Sequence, residues 1–206
     1  EKIIPYKRIA SALHNVGESW ELSGGRGSES VGADGPWAGT ALPELIAEER
    51  ERLVGRKIYE RFGTEFPLLV KFIDARQDLS IQVHPNDELA RRRHGSQGKT
   101  EMWYVIDADE GARLRSGFAR QVTPDRYAAS VADGTLTELL REYEIHRGDL
   151  FFLPAGRIHS IGAGSLIAEI QQTSDITYRI YDFNRRGADG KLRELHTELA
   201  KEAIDY

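Results

Sequence analysis

From Pro67 onward the chain is written in short apolar or alternating runs, each stopped by glycine, proline, asparagine or aspartate, and this punctuation confines it to a mainly β architecture. The runs Leu68–Asp74, Ser80–His84, Thr100–Asp107 and Ala112–Phe118 come first, and Leu150–Leu153, Leu166–Gln172 and Thr177–Phe183 follow. Between the two groups, residues 123–141 break the pattern. Thr123-Pro124-Asp125 reads as a helix start, Gly134 interrupts, and Leu136, Leu139 and Leu140 recur at helical spacing, which predicts two short helices on one connection. Upstream, Glu18–Leu22 reads as a strand and Ser23–Gly35 as a loop; helices follow over Glu44–Arg50 and Gly55–Phe62, with Gly63 just past the end. The expected organisation is an N-terminal strand, loop and helical segment (1–66) packed on a jelly-roll barrel (67–190), then a helical tail (191–206). Within that tail Leu195–Ile204 is helix-like, and Lys191–Glu198 is charged enough for a linker or exposed cap. No internal repeat is visible.

Polar residues interrupt three of the apolar stretches: Gln82 and His84 in LSIQVHP, Glu101 in GKTEMWYVI, and His159 in FFLPAGRIHSIG. Residues two apart on a strand face the same way, so Gln82 and His84 project together while Ile81 and Val83 face the opposite side. Singly, each has a plainer reading, as a satisfied histidine or a solvated strand end. Burying all of them without partners would cost on the order of 1–3 kcal/mol each, and a shared metal ion removes that cost. Imidazole nitrogens and a carboxylate are ordinary ligands for zinc and related divalent ions; a glutamine oxygen is an uncommon fourth.

At 206 residues the chain suits one medium domain, or one domain with a small appendage, and is long enough for a sizeable core. The formal charge of −5 argues against a nucleic-acid partner, and the run Arg91-Arg92-Arg93 reads as a solvated helix face. With no cysteine, neither disulfides nor thiolate metal sites are available. No stretch is apolar enough for a membrane span and no leader-like segment opens the sequence, so the expected compartment is the cytoplasm.

The segments NVGESWELSG, FPLLVKFIDARQDLSIQVHPND, GKTEMWYVIDADEGA, LPAGRIHSIGAG and IAEIQQTSDITYRIYDFNR resemble, in order and spacing, the type I mannose-6-phosphate isomerases. These are metal-dependent enzymes of the cupin superfamily, and the likeness is strongest to their short bacterial branch. The resemblance implies a cupin-type jelly roll, zinc bound by Gln82, His84, Glu101 and His159, and interconversion of mannose 6-phosphate and fructose 6-phosphate. It also places active-site residues at Lys99, Glu169, Asp175 and Arg179. Longer members begin with a Trp-Gly-Gly segment and continue after the Asp-Phe-Asn-Arg stretch into a further β-domain that helps wall the pocket; here a short tail follows. Metal binding is therefore the first expectation and turnover the second.

The residues themselves qualify these roles. On Leu166–Gln172, Leu166, Ala168 and Ile170 share one face, which turns Glu169 toward the barrel interior with Ile167 and Gln171. Arg179 shares a face with Tyr181 and points at the same cavity or pairs with Glu169 as a salt bridge. Asp175 follows Ser174 at a turn and has a capping role open to it, and Lys99 is placed to form an ion pair with Glu101. The general base stays open among Glu169, Asp175 and a metal-bound water. Ser80, on the face of Gln82 and His84, is a candidate contact for a phosphate or hydroxyl. Trp20 resembles a family position near the pocket, although a Trp on a short strand is more often core, and His14, His94, His146 and His196 read as solvated surface. Two alternatives remain: a metal-binding cupin that holds sugar phosphates without turnover, and an iron-dependent cupin dioxygenase, disfavoured because Gln82 stands where many cupins place a histidine.

Overall fold

The computed structural model describes residues 2–187 and 189–206. Its centre is a pair of antiparallel five-stranded sheets. The first, in spatial order, contains β1 (Glu18–Ser23), β2 (Leu68–Ala75), β9 (Ser165–Gln172), β4 (Glu101–Ala108) and β7 (Leu150–Leu153). The second contains β10 (Tyr178–Tyr181), β3 (Ile81–Val83), β8 (His159–Ile161), β5 (Arg113–Phe118) and β6 (Leu140–Glu144). Strands adjacent in the sheets are mostly distant in the chain, the non-local pairing of a jelly roll, and the mainly β expectation holds.

Apolar side chains from both sheets meet inside the barrel, where Ile73, Trp103, Val105, Leu114, Leu153 and Ile167 form a buried cluster. A second core lies on the outer side of the second sheet. There Ile81, Val83, Tyr178 and Ile180 pack against Tyr127 of helix α6 (Pro124–Ala132) and Ala200 of helix α7 (Thr197–Ala203). Strands β3 and β10 are thus covered on both sides, and their alternate residues are free to serve the barrel interior. Thr123 caps α6 by accepting from the Arg126 amide at 3.2 Å, and Pro124 opens its first turn.

The link from β3 to β4 fixes the residues at both its ends. Helix α5 (Asp87–His94) starts where the Asn86 side chain accepts from the Leu89 amide at 2.9 Å, and ends at Gly95 with φ 64°. Asp87 and Glu88 occupy its first turn and three arginines its last, as the helix dipole favours. The chain then returns through Gly98, whose amide donates to Asp87 Oδ1 at 2.9 Å, to Lys99, whose amide donates to the Pro85 carbonyl at 3.1 Å. His84 and Glu101 are brought together by this closed loop.

Several elements differ from the sequence expectation. Helical spacing through Leu140 and Arg141 suggested continued helix; a 3-10 turn at Leu136–Leu139 passes instead into β6. That strand, LREYE, is polar and lies at a sheet edge, so no apolar alternation marks it. The helical stretch before Pro67 is three helices, α2 (Leu42–Glu49), α3 (Glu51–Val54) and α4 (Arg56–Phe62), broken at Arg50 and Gly55 where φ turns positive. The short helix α1 (Ile3–Lys7) had no sequence signal, yet it buries Ile3 against Ile106 and Leu166. β10 stops at Tyr181, because Phe183 and Asn184 adopt φ of 52° and 54°. Among the described residues no helix is long and apolar enough to cross a membrane.

Candidate metal centre

Facing rows of polar residues line the barrel. In the second sheet Arg179, Gln82, His159 and Ser116 lie side by side on β10, β3, β8 and β5. In the first sheet Lys71, Glu169 and Trp103 lie side by side on β2, β9 and β4. Residues directly opposed on adjacent strands project from the same face, so strand pairing alone assembles each row.

Glu101, the first residue of β4, and His84, just past β3, close the gap between the sheets. His84 Nε2 stands 3.2 Å from Glu101 Oε1, and His159 Nε2 stands 3.6 Å from Oε2. All three side chains are buried, with ligand atoms within 4.8 Å of one another. Each imidazole donates its Nδ1–H to a backbone carbonyl, His84 to Ile176 at 2.8 Å and His159 to Arg157 at 2.7 Å, which leaves both Nε2 lone pairs toward Glu101. Among the described residues His84 Nε2 and both Glu101 oxygens lack a hydrogen bond of acceptable geometry. Two nitrogens and a carboxylate buried around one point, with His84 Nε2 and both carboxylate oxygens free of hydrogen bonds among the described residues, fit a divalent metal ion.

The charges agree with this fit. Burial pushes His84 and His159 below the usual imidazole range, and the Lys99 ammonium adds to the effect, so both rings stay neutral and able to ligate. Burial alone would raise the Glu101 carboxyl, but positive charge beside it, from His84 whenever that ring carries a proton and from Lys99 throughout, holds the group well below the ordinary carboxylate range. Lys99 Nζ lies 2.9 Å from Glu101 Oε1, so the ion pair expected from their spacing is formed. Gln82 sits beside the cluster. Its amide nitrogen is 3.4 Å from His159 Nε2, and its oxygen accepts from Ser80 Oγ at 3.2 Å. A half-turn of the amide, whose orientation is set only by its partners, would present the oxygen to a metal.

A cavity of about 540 Å³ opens beside the cluster, lined by Gln82, Lys99, His159, Glu169, Arg179 and Lys71 among others. Glu169 is buried; Trp103 Nε1 donates to its Oε2 at 2.8 Å, and Lys71 Nζ lies 3.1 Å from its Oε1. Burial, then the charge of Glu101, raises the Glu169 carboxyl against the opposing pull of Lys71 and Lys99. Lys71 is itself opposed by burial, but the facing Glu169 carboxylate prevails and raises its pKa.

Seven of the eight residues singled out from the sequence, Gln82, His84, Glu101, His159, Lys99, Glu169 and Arg179, converge on this cluster and cavity. Asp175 does not: it is exposed on the link between β9 and β10, outside the cavity lining, because β9 ends at Gln172 and the chain has left the barrel by that point. The pairing of Arg179 with Glu169 is not formed, since Lys71 occupies that place. Trp20 is 47% exposed rather than core. His196 is half-buried, and its Nδ1 accepts from the Arg179 amide at 3.2 Å. Sequence reasoning missed Lys71, although it interrupts the run LLVKFIDA by the same rule that marked Glu101. It also missed Trp103, which reads as ordinary core, and Arg193, whose polar tail gave no signal.

Residues 5–112 match the family described as phosphomannose isomerase type I, catalytic domain. The mannose-6-phosphate isomerase ManA of Bacillus subtilis is 43% identical over 191 residues, which cover 92% of this chain and 59% of that protein. The mannose-6-phosphate isomerase of Streptococcus mutans is 42% identical over 189 residues, with 92% and 58% covered. The crystal structure of a mannose 6-phosphate isomerase from Bacillus subtilis superposes with a TM-score of 0.88 at 35% identity, over 98% of this chain and 63% of that one. The chain thus spans less than two thirds of the length of these relatives. A family match over half of the residues, joined to a buried His-Glu-His cluster in a jelly roll, places this chain in the phosphomannose isomerase type I family.

Proposed function

We propose that the chain is a zinc-dependent aldose-ketose isomerase that interconverts mannose 6-phosphate and fructose 6-phosphate. The observation that carries the reading is the juxtaposition of the buried His84-Glu101-His159 cluster with a cavity whose wall presents one carboxylate of raised pKa, Glu169, and several cations. Donor chemistry supports zinc: two imidazole nitrogens, one carboxylate and an amide oxygen from Gln82, with a position left open. A divalent ion held there supplies polarisation of a sugar carbonyl and stabilisation of the negative charge that develops on its oxygen.

The remaining chemistry belongs to the chain. Glu169 is our candidate base: its burial and the charge of Glu101 favour the proton-bound form, which brings it closer to neutrality than a free carboxylate, where a general base works best. It takes the proton from C2 of the open-chain aldose and returns it to C1, while the hydroxyl proton on O2 passes to O1. No other reactant is consumed. Trp103 Nε1 fixes the orientation of the carboxylate, and Lys71 keeps it from being locked in the protonated form. Lys99 holds Glu101 ionised. Arg179 offers a planar fork suited to phosphate.

The test is metal analysis with a coupled mannose-6-phosphate to fructose-6-phosphate assay on wild type, His84→Ala and Arg179→Ala. Wild type should carry one zinc per chain and turn over; His84→Ala should lose both properties, and Arg179→Ala activity alone. Metal without turnover would indicate a sugar-phosphate-binding protein, and iron with oxygen consumption would indicate a dioxygenase.

A further inference from the structure

The cavity has a second end, where positive charge is left unbalanced. Asp182, buried just past β10, accepts from Arg193 Nε at 2.7 Å and from Arg193 Nη2, and also from Nε and Nη2 of Arg185. Arg179 lies three residues before it; its Nη1 donates to the Glu194 carbonyl at 3.1 Å, and its buried Nε has no hydrogen-bond partner among the described residues. Two guanidinium groups therefore grip one buried carboxylate and a third, Arg179, is near enough to feel its charge, while the Glu194 side chain is turned to solvent. Burial, then the neighbouring Arg193 charge, lowers the pKa of Arg179, as this crowding requires.

Arg193 and Arg179 both line the cavity. Arg193 comes from the tail, which runs beside β10: the His196 amide donates to the Arg179 carbonyl at 2.6 Å, and the Arg179 amide donates to His196 Nδ1. Asp182 engages the Nε and Nη2 side of the Arg193 fork, so Nη1 stays available to another acceptor. Arg179, Gln82 and His159 stand on three successive strands, which puts the Arg179 backbone about 10 Å from that of His159. That span suits a molecule whose reacting carbons lie at one end and whose dianion lies at the other.

We propose that Arg193, oriented by Asp182, binds the phosphoryl group of the substrate together with Arg179 and sets the preference for phosphorylated over neutral sugars. The proposal rests on the isomerase reading for its substrate, but not for its anion site. Asp182 is a positioning residue that acts through Arg193.

The experiment pairs steady-state kinetics with calorimetric titration of inorganic phosphate into the metal-loaded protein. Arg193→Ala should raise the KM for mannose 6-phosphate and the Kd for inorganic phosphate about 10- to 100-fold, the loss expected for a charge-assisted hydrogen bond. Its kcat and metal content should stay close to wild type. Arg193→Lys should restore part of the affinity, and Asp182→Asn should weaken it less than Arg193→Ala. Arg193 is partly exposed and Arg185 still pairs with Asp182 when it is replaced, so the fold should persist, which far-ultraviolet circular dichroism checks. If wild type binds phosphate through Arg193 yet does not isomerise, the anion site stands and the isomerase reading fails. If wild type isomerises while Arg193→Ala leaves both KM and phosphate affinity unchanged, or if wild type binds no phosphate, the assignment of Arg193 is overturned.

Discussion

Lys71 and Glu169 stand directly opposite each other on β2 and β9, with the ammonium nitrogen 3.1 Å from a carboxylate oxygen and both side chains largely shielded from water. The pair sets the proton affinity of Glu169, the buried carboxylate proposed as the base.

Lys71→Met should therefore move the acid limb of the kcat/KM profile to higher pH. Burial and Glu101 already raise Glu169, and Lys71 opposes them, so its removal lets the carboxyl rise further. The sign for stability follows. A carboxyl whose folded pKa lies above its unfolded value contributes stability at low pH and loses it as pH rises through the folded value. The variant should be least impaired in acid and destabilised by about 3 kcal/mol once Glu169 is ionised without its partner. Urea denaturation across a pH series measures this.

Chelation should destabilise the protein, and metal should restore it. With three buried ligand groups, and no hydrogen bond among the described residues to His84 Nε2 or the Glu101 oxygens, the folded state gains what the ion supplies. Melting temperature with and without chelator reads the effect. His84→Ala should remove most of it and weaken metal binding by on the order of 100-fold or more, since even outer contacts to such ligands change affinity 10- to 100-fold. Full metal content in that variant would refute the ligand assignment.

Trp103→Phe should weaken both the fold and the site. The indole N–H is a buried donor to Glu169, and the ring meets His159 edge-on with centroids 5.3 Å apart. Loss of a hydrogen bond to a charged acceptor plus a small void predicts about 2–3 kcal/mol of destabilisation. A lower denaturant midpoint at unchanged slope is the expected result.

Gly98→Ala should loosen metal binding from outside the site. A Cβ at Gly98 would come 2.5 Å from the Asn86 carbonyl carbon and 2.6 Å from the Asp87 amide nitrogen, backbone atoms that cannot swing aside. The loop joining His84 to Lys99 would have to open, at a cost of about 1–3 kcal/mol. A raised metal Kd alongside native circular dichroism would separate this from general unfolding.

Period-two alternation made the sheets and the inward set legible, because the apolar partners of Gln82, Glu169 and Arg179 had to face elsewhere. The sequence could not show what lies under those partners. Ile81 and Val83 are buried by helices α6 and α7, which come from residues far along the chain. β6 and α1 escaped notice for the opposite reason, one being a polar edge strand and the other a five-residue helix. Asp175 was placed by family likeness alone, and its turn left it in solvent. Lys71 was within reach of the same pattern argument as Glu101, while Arg193 depends on a tail whose path no local pattern encodes.

β3 offers three residues to its sheet and no face to water: Gln82 turns inward, while Ile81 and Val83 turn out beneath the helices. A one-residue slip would push aliphatic side chains toward the ion and polar ones into an oily layer. Metal occupancy is thus a report on alignment, since a chain that has paired its strands wrongly cannot load, and the ion discriminates native from near-native molecules.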